Sequence, residues 1–180
     1  MQEEKKTRIM VEIGVAVALS AVFNFIPLWK MPQGGSVSLE MLPIFIIAFR
    51  WGGIPGITAG FIYGLLQLTM GAYIVHPFQV IMDYPVPYML VGLAGFLSPV
   101  KHEGFKRTIV IIAAILFGGI ARFFAHVISG AVFFAHFAPE GQNPWLYSAV
   151  YNAGYIVLSL LICALIIFSL FKKLILASRD

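Results

Sequence analysis

Residues 108–136 read TIVIIAAILFGGIARFFAHVISGAVFFAH. In these 29 residues the one fixed charge is Arg122, and the polar side chains besides it are Thr108, His126, Ser129 and His136. As a helix rising ~1.5 Å per residue, the stretch outreaches a hydrocarbon core of ~30 Å. It has no polar face with which to meet water, so it reads as a membrane-spanning helix. The whole chain agrees. Hydrophobic residues make up 60% of its 180 residues and charged ones 11%, where an ordinary soluble domain carries about 25% charged. Mean hydropathy is +0.91. So few charges cannot solvate a soluble enzyme or a disordered chain. The single cysteine, Cys163, lies in an apolar run and excludes an internal disulfide scaffold. The net charge of +4 is too small and too dispersed for a phosphate-binding face, which excludes a nucleic-acid partner.

Working outward, the chain divides into six apolar runs: 9–28, 38–52, 54–72, 78–99, 108–136 and 145–171. The second is short, contains Pro43 and is expected to be tilted or irregular. Turn chemistry separates the runs, as in Met31-Pro32-Gln33-Gly34-Gly35 and Gly52-Gly53-Ile54-Pro55. The first run follows Lys5, Lys6 and Arg8 like a signal peptide. The later runs are equally apolar, so it reads as an uncleaved first helix. The expectation is an all-α integral membrane protein, one membrane domain over 1–180 with six transmembrane helices. With the N-terminus inside, ten of the twelve basic residues fall on inner segments: Lys5, Lys6, Arg8, Arg50, Lys101, Lys106, Arg107, Lys172, Lys173 and Arg179. Lys30 is the one outer-loop basic residue, so both termini are predicted to be cytoplasmic.

Ionisable residues inside spans usually face a cavity or a partner. Asp83, His126 and Asn152, with Tyr73 and His76 at a span end, all fall in the predicted outer half. That clustering predicts a cavity open to the exterior. Each has a plainer reading. Asp83 can pair with Arg122, His126 and Asn152 can join neighbouring helices, and Trp145 and Tyr151 suit an interfacial aromatic belt better than a site. Arg122 reads as structural. The four histidines are scattered, which disfavours a metal site. By the 3.6-residue period, Gly130 and Phe133 share the His126 face and Phe134 is its neighbour, so an aromatic ring can share a cavity wall with His126. Tyr147 and Asn152 lie 140° apart on an ideal helix and meet only if Tyr147 sits at a frayed start. Aromatic faces with one carboxylate suit an organic cation with ring surfaces, whereas a phosphate ester would call for arginines or helix N-termini.

Five segments in order, MPQGGSVSLEMLPIFIIAFRWG, GFIYGLLQL, HPFQVIMDYPVPY with GLAG, RFFAHVISG and YSAVYNAGY, resemble the thiamine-specific S-component of energy-coupling factor transporters. The resemblance runs from about residue 31 to 155. It implies a multi-pass protein of the bacterial cell membrane that captures thiamine from outside with high affinity. It also implies partners: a transmembrane coupling subunit and two ATPases. Its aromatic and carboxylate positions fall on Tyr73, Asp83 and Tyr84, its histidine on His126, and its pyrimidine-contacting pair on Tyr147 and Asn152. Two positions depart from the family. Asp83 is one methylene shorter than the common acid, and Phe134 stands where tryptophan is common. A tryptophan of the first outer loop helps close that family's pocket, and Trp29 is the nearest candidate. The chain carries no Walker motif and is expected to be no enzyme and to hold no cofactor. The alternatives are an S-component for another vitamin or a thiamine precursor, an intramembrane enzyme using His126 and Asp83 with Ser129, and an ion-coupled carrier, which would show repeat symmetry.

Run one carries two small-residue ladders, Gly14-xxx-Ala18 and Ala16-xxx-Ser20, which let another helix approach closely. They can serve packing within the bundle, the use expected of Gly56, Gly60 and Gly64. The resemblance instead points to docking of the coupling subunit on this helix.

Overall fold

The computed structural model describes residues 2–176, and Arg179 of the charge count lies outside them. Seven helices follow in order: α1 (Gln2–Phe25), α2 (Met41–Trp51), α3 (Gly53–Gln67), α4 (Pro77–Asp83), α5 (Pro85–Gly92), α6 (Gly104–Phe133) and α7 (Pro144–Phe171). Short 3-10 turns follow α5 and α6, and a π-helical turn, Lys172–Leu176, follows α7. Four helical stretches are long and apolar enough to cross a membrane: Gln2–Phe25, Pro77–Lys101, Gly104–Phe133 and Pro144–Phe171.

Three features differ from the expectation. First, the fold is not wholly helical. Between α1 and α2 lies a small antiparallel hairpin, β1 (Trp29–Lys30) with β2 (Ser36–Val37), in which Trp29 pairs with Val37 and Lys30 with Ser36. Its turn uses Gly34 and Gly35 at φ 91° and 77°, values at which other residues are strained.

Second, run two forms a regular helix of 11 residues, ~16 Å long and too short to span. Pro43 sits in its first turn, where no intrahelical donor is lost. Nine of its residues are buried, Met41 through Phe45 and Ile47 through Arg50. α2 is therefore an internal strut against α1, α3, α5 and α7.

Third, the fourth run breaks between α4 and α5 at Tyr84 (φ −112°, ψ −78°). Pro85 opens α5, cannot donate to the α4 ladder and disfavours helical geometry in the residue before it. The break places Asp83 and Tyr84 at a helix junction.

α3 and α5 meet backbone to backbone. A Cβ added at Gly60 would lie 2.0 Å from the Tyr88 carbonyl oxygen, and one at Gly64 would lie 2.5 Å from Pro85 Cα. One at Gly92 would lie 2.3 Å from the Gly56 carbonyl carbon. The glycine stripe thus packs inside the bundle.

At the basic end, Arg50 closes α2 onto its neighbours. Its Nε and Nη2 donate to Glu12 Oε2 and Oε1 at 2.9 and 3.0 Å. Its Nη1 donates to the Leu174 carbonyl at 3.1 Å. Trp51 Nε1 and Arg8 Nε donate to the same Glu12 carboxylate at 2.7 and 3.2 Å.

Candidate functional site

At the opposite end the helices enclose a cavity of about 790 Å³, within the range usual for small-molecule sites. Its base is Glu40, the residue before α2, which is 3% exposed. Tyr63 Oη donates to Glu40 Oε2 at 2.6 Å, Gln67 Nε2 to the same oxygen at 2.9 Å, and Ser38 Oγ to Oε1 at 2.6 Å. Tyr88 Oη donates to Oε2 in a short bond. Arg122 Nη2 donates to Tyr88 Oη at 3.1 Å, and its guanidinium lies 4.2 Å from that ring's centroid. The buried arginine thus stands one hydroxyl away from the buried carboxylate. This overturns the pairing weighed for Arg122 with Asp83.

Asp83 instead faces His126. Its Oδ1 lies 3.6 Å from His126 Nδ1, and its Oδ2 accepts from Gln79 Nε2 at 2.6 Å. Gln79 also ties down the segment before α4, donating to the Tyr73 carbonyl at 3.1 Å and accepting from Val75 N at 3.1 Å. Tyr84 Oη accepts from Tyr73 N at 2.7 Å, and the Tyr73 and Phe134 ring centroids are 6.1 Å apart. His126 Nε2 and Arg122 Nε are buried without a hydrogen-bond partner among the described residues, and both side chains line the cavity. Such groups cost ~1–3 kcal/mol each when left unpaired. A polar ligand in the cavity would relieve that cost.

α7 makes the remaining wall. Tyr155 Oη donates to Asn152 Oδ1 at 2.7 Å, and Asn152 Nδ2 donates to the Ser148 carbonyl at 2.8 Å. Tyr147 and Asn152 both line the cavity, because α7 starts at Pro144 and Tyr147 sits in its first turn. The hairpin crosses the mouth and is tied to this wall. Tyr147 Oη donates to Gln33 Oε1 in a short bond, Tyr151 Oη donates to the Gly34 carbonyl at 2.8 Å, and Gln33 N donates to Tyr151 Oη at 2.9 Å. A Cβ at Gly35 would lie 2.7 Å from the Tyr155 ring, so the hairpin seats only with glycine there.

The structure therefore brings Tyr73, Asp83, Tyr84, His126, Phe134, Tyr147 and Asn152 to one cavity. Tyr151, expected in an interfacial belt, is a cavity residue too. Trp29 is corrected in the other direction: it is 66% exposed and not on the cavity wall, while Lys30 and Met31 line it. Phe133 also turns elsewhere, its ring 5.2 Å from that of His76. His76 caps α4 by accepting from Phe78 N at 3.2 Å. Ser129, the nucleophile required by an enzyme reading, is fully buried and off the cavity wall. No group of three or more His, Cys, Asp or Glu placed to hold a metal occurs among the described residues. Glu40, Gln79, Tyr88 and Tyr155 are site residues that the sequence reading missed. For Glu40 the signal was present, an acid at the edge of an apolar run.

A family model described as "Thiamine transporter protein" matches residues 10–177. The chain belongs to the thiamine transporter family. It is 40% identical over 180 residues to "Thiamine transporter ThiT" of Bacillus subtilis (strain 168), covering 95% of this chain and 94% of that one. It is 30% identical over 177 residues to the protein of that name from Lacticaseibacillus paracasei (strain ATCC 334), covering 93% and 88%. The solved structure of ThiT from Listeria monocytogenes superposes with a TM-score of 0.84 at 31% identity, covering 94% of this chain and 96% of that one. This thiamine transporter family member is a bacterial multi-pass membrane protein, and its family is one of transporters, not enzymes.

Proposed function

We propose that this chain binds thiamine with high affinity in an outward-facing cavity, as the S-component of an ATP-driven energy-coupling factor transporter. One observation carries the reading: a buried, unpartnered His126 Nε2 on a cavity wall beside the Asp83 carboxylate. Asp83 balances the thiazolium charge or accepts from the aminopyrimidine. Tyr73, Tyr84 and Phe134 supply ring contacts, and His126, Tyr147 and Asn152 orient the two rings. The names of the Bacillus, Lacticaseibacillus and Listeria relatives support thiamine over riboflavin or a thiamine precursor. The basic bias of one end supports six membrane crossings with cytoplasmic termini, α2 completing its passage through the hairpin that precedes it. No cofactor enters this scheme; thiamine is cargo. Intrinsic tryptophan fluorescence of the purified protein, titrated with thiamine, riboflavin and biotin, tests the reading. A saturable response confined to thiamine is expected, and its absence, checked by calorimetry, removes thiamine as the ligand.

Energy comes from two ATPases through a transmembrane coupling subunit, and the coupling subunit docks on α1. The two ladders of this helix divide. Ala16 and Ser20 are buried in the bundle, and Ser20 Oγ donates to the Glu40 carbonyl at 2.9 Å. Gly14 and Ala18 are exposed, and a Cβ at Gly14 would meet nothing within 4 Å. Docking thus belongs to Gly14 and Ala18, with Ala16 and Ser20 released to internal packing. Gly14→Trp is expected to leave thiamine affinity within twofold and to abolish co-purification with the coupling subunit. Normal assembly by that variant would move docking to another face.

A further inference from the structure

The ends of α6 and α7 that carry the basic residues enclose a second hollow, about 440 Å³, on the bundle's outer surface. Its polar lining is cationic or neutral: Arg107, Lys173, Thr108 and Ser169. Arg107 is held in place from two sides. Its Nε donates to the His102 carbonyl at 2.6 Å, and its guanidinium lies 5.2 Å from the Phe171 ring centroid. Its two terminal nitrogens have no hydrogen-bond partner among the described residues. Lys173 is exposed, and Lys101 and Lys106 lie exposed on the adjoining segment. The nearest acid in sequence is Glu103, exposed at the start of α6. Beyond the hollow the surface turns apolar. Phe168 and Leu170 line it at 38% and 39% exposure, and on the same two helices, within a turn or so of its lining residues in sequence, Ile109, Ile112 and Leu165 are exposed at 50%, 45% and 67%.

A prearranged guanidinium, an exposed ammonium and two hydroxyls at one end, with apolar side chains beside them, match an amphiphile with an anionic head. The geometry points to a binding site for an anionic glycerophospholipid, its phosphate on Arg107 and Lys173, its acyl chains along Phe168, Leu170 and the exposed face of α6. A soluble phosphate would use the head contacts and leave the apolar side chains bare. The site lies at the opposite end of the bundle from the thiamine cavity and does not depend on how that cavity is read. Basic pockets between spanning helices select anionic headgroups, at about fivefold in affinity per Lys or Arg.

The test uses full-length protein in detergent, stripped of lipid and titrated with phosphatidylglycerol, phosphatidylcholine or inorganic phosphate, with bound lipid counted by native mass spectrometry. Phosphatidylglycerol is expected to bind at least fivefold more tightly than phosphatidylcholine. Lys173→Gln should cost about fivefold for phosphatidylglycerol and nothing for phosphatidylcholine, and Arg107→Gln at least as much. Should Arg107→Gln fail to fold, Lys173→Gln, exposed on the surface, decides alone. Equal affinity for the two lipids, unchanged phosphatidylglycerol binding by the folded variants, or displacement of the lipid by equimolar phosphate overturns the proposal.

Discussion

Two carboxylates sit at opposite ends of this bundle, each opposite a basic side chain, and they are completed very differently. At the basic end, Glu12 accepts from Arg8, Trp51 and, through both oxygens, Arg50. At the cavity end, Asp83 accepts from Gln79 and stands 3.6 Å from His126, too far for a good hydrogen bond. The far nitrogen of His126 has no hydrogen-bond partner among the described residues. Burial makes unpaired polar groups costly. A cluster that satisfies its members therefore has the chemistry of a fastening, and one that leaves them open has the chemistry of a receptor.

Substitutions at the two ends should dissociate. Asp83→Asn is expected to have the largest effect, weakening thiamine binding by ~3–5 kcal/mol, a hundredfold or more, because it removes the partner of a buried cation. Circular dichroism and the melting temperature should hardly change. Normal binding by this variant would make Asp83 a second fastening and erase the contrast. Arg50→Met reverses the pattern. It removes both Arg50 bonds to Glu12, which keeps only Arg8 and Trp51 among the described residues, and the bond to the Leu174 carbonyl; the expected cost is ~1–3 kcal/mol of stability, read as a lowered melting temperature, with thiamine affinity of the folded fraction unchanged.

Smaller changes sharpen the picture of the receptor end. Tyr147→Phe deletes one tie between α7 and the hairpin, and calorimetry should show affinity reduced by ~1 kcal/mol, about fivefold. A loss much beyond that would mean that the hydroxyl serves the ligand directly. Phe134→Trp enlarges a ring at the end of α6 and should tighten binding by ~0.5–1 kcal/mol. No change, together with no ring contact in a thiamine-bound structure, would assign Phe134 to packing.

The order of these elements was legible because lipid imposes length and apolarity on every span. Asp83, His126 and Asn152 were legible because hydrocarbon penalises polar atoms wherever they lack a purpose, whereas Tyr147 entered through the family resemblance. What stayed hidden depends on contacts between elements. Glu40, near the start of the second apolar run, has no partner in view until Tyr63, Gln67 and Tyr88 are brought to it from α3 and α5. Arg122 was weighed against the wrong acid, since a helical wheel of α6 says nothing about which side chain a facing helix presents. Trp29 was the wrong residue of the first loop. Its indole is 66% exposed although its partner Val37 is buried, and Lys30 and Met31 line the cavity, a placement that nothing in the local sequence dictates. The break at Tyr84 was written in Pro85, within a run that hydropathy treats as continuous.

The glycine stripe between α3 and α5 has a consequence for precision. Glycine has no rotamers, so the contact spends no side-chain entropy when it forms. It also has no side chain that could shift to absorb an error. The separation of the two helices is set by the van der Waals radii of main-chain atoms, and Tyr63 and Tyr88 are carried on this pair. Their two hydroxyls reach Glu40 from a frame whose dimensions no neighbouring side chain can adjust, so the placement of that carboxylate is inherited from the thickness of two polypeptide backbones.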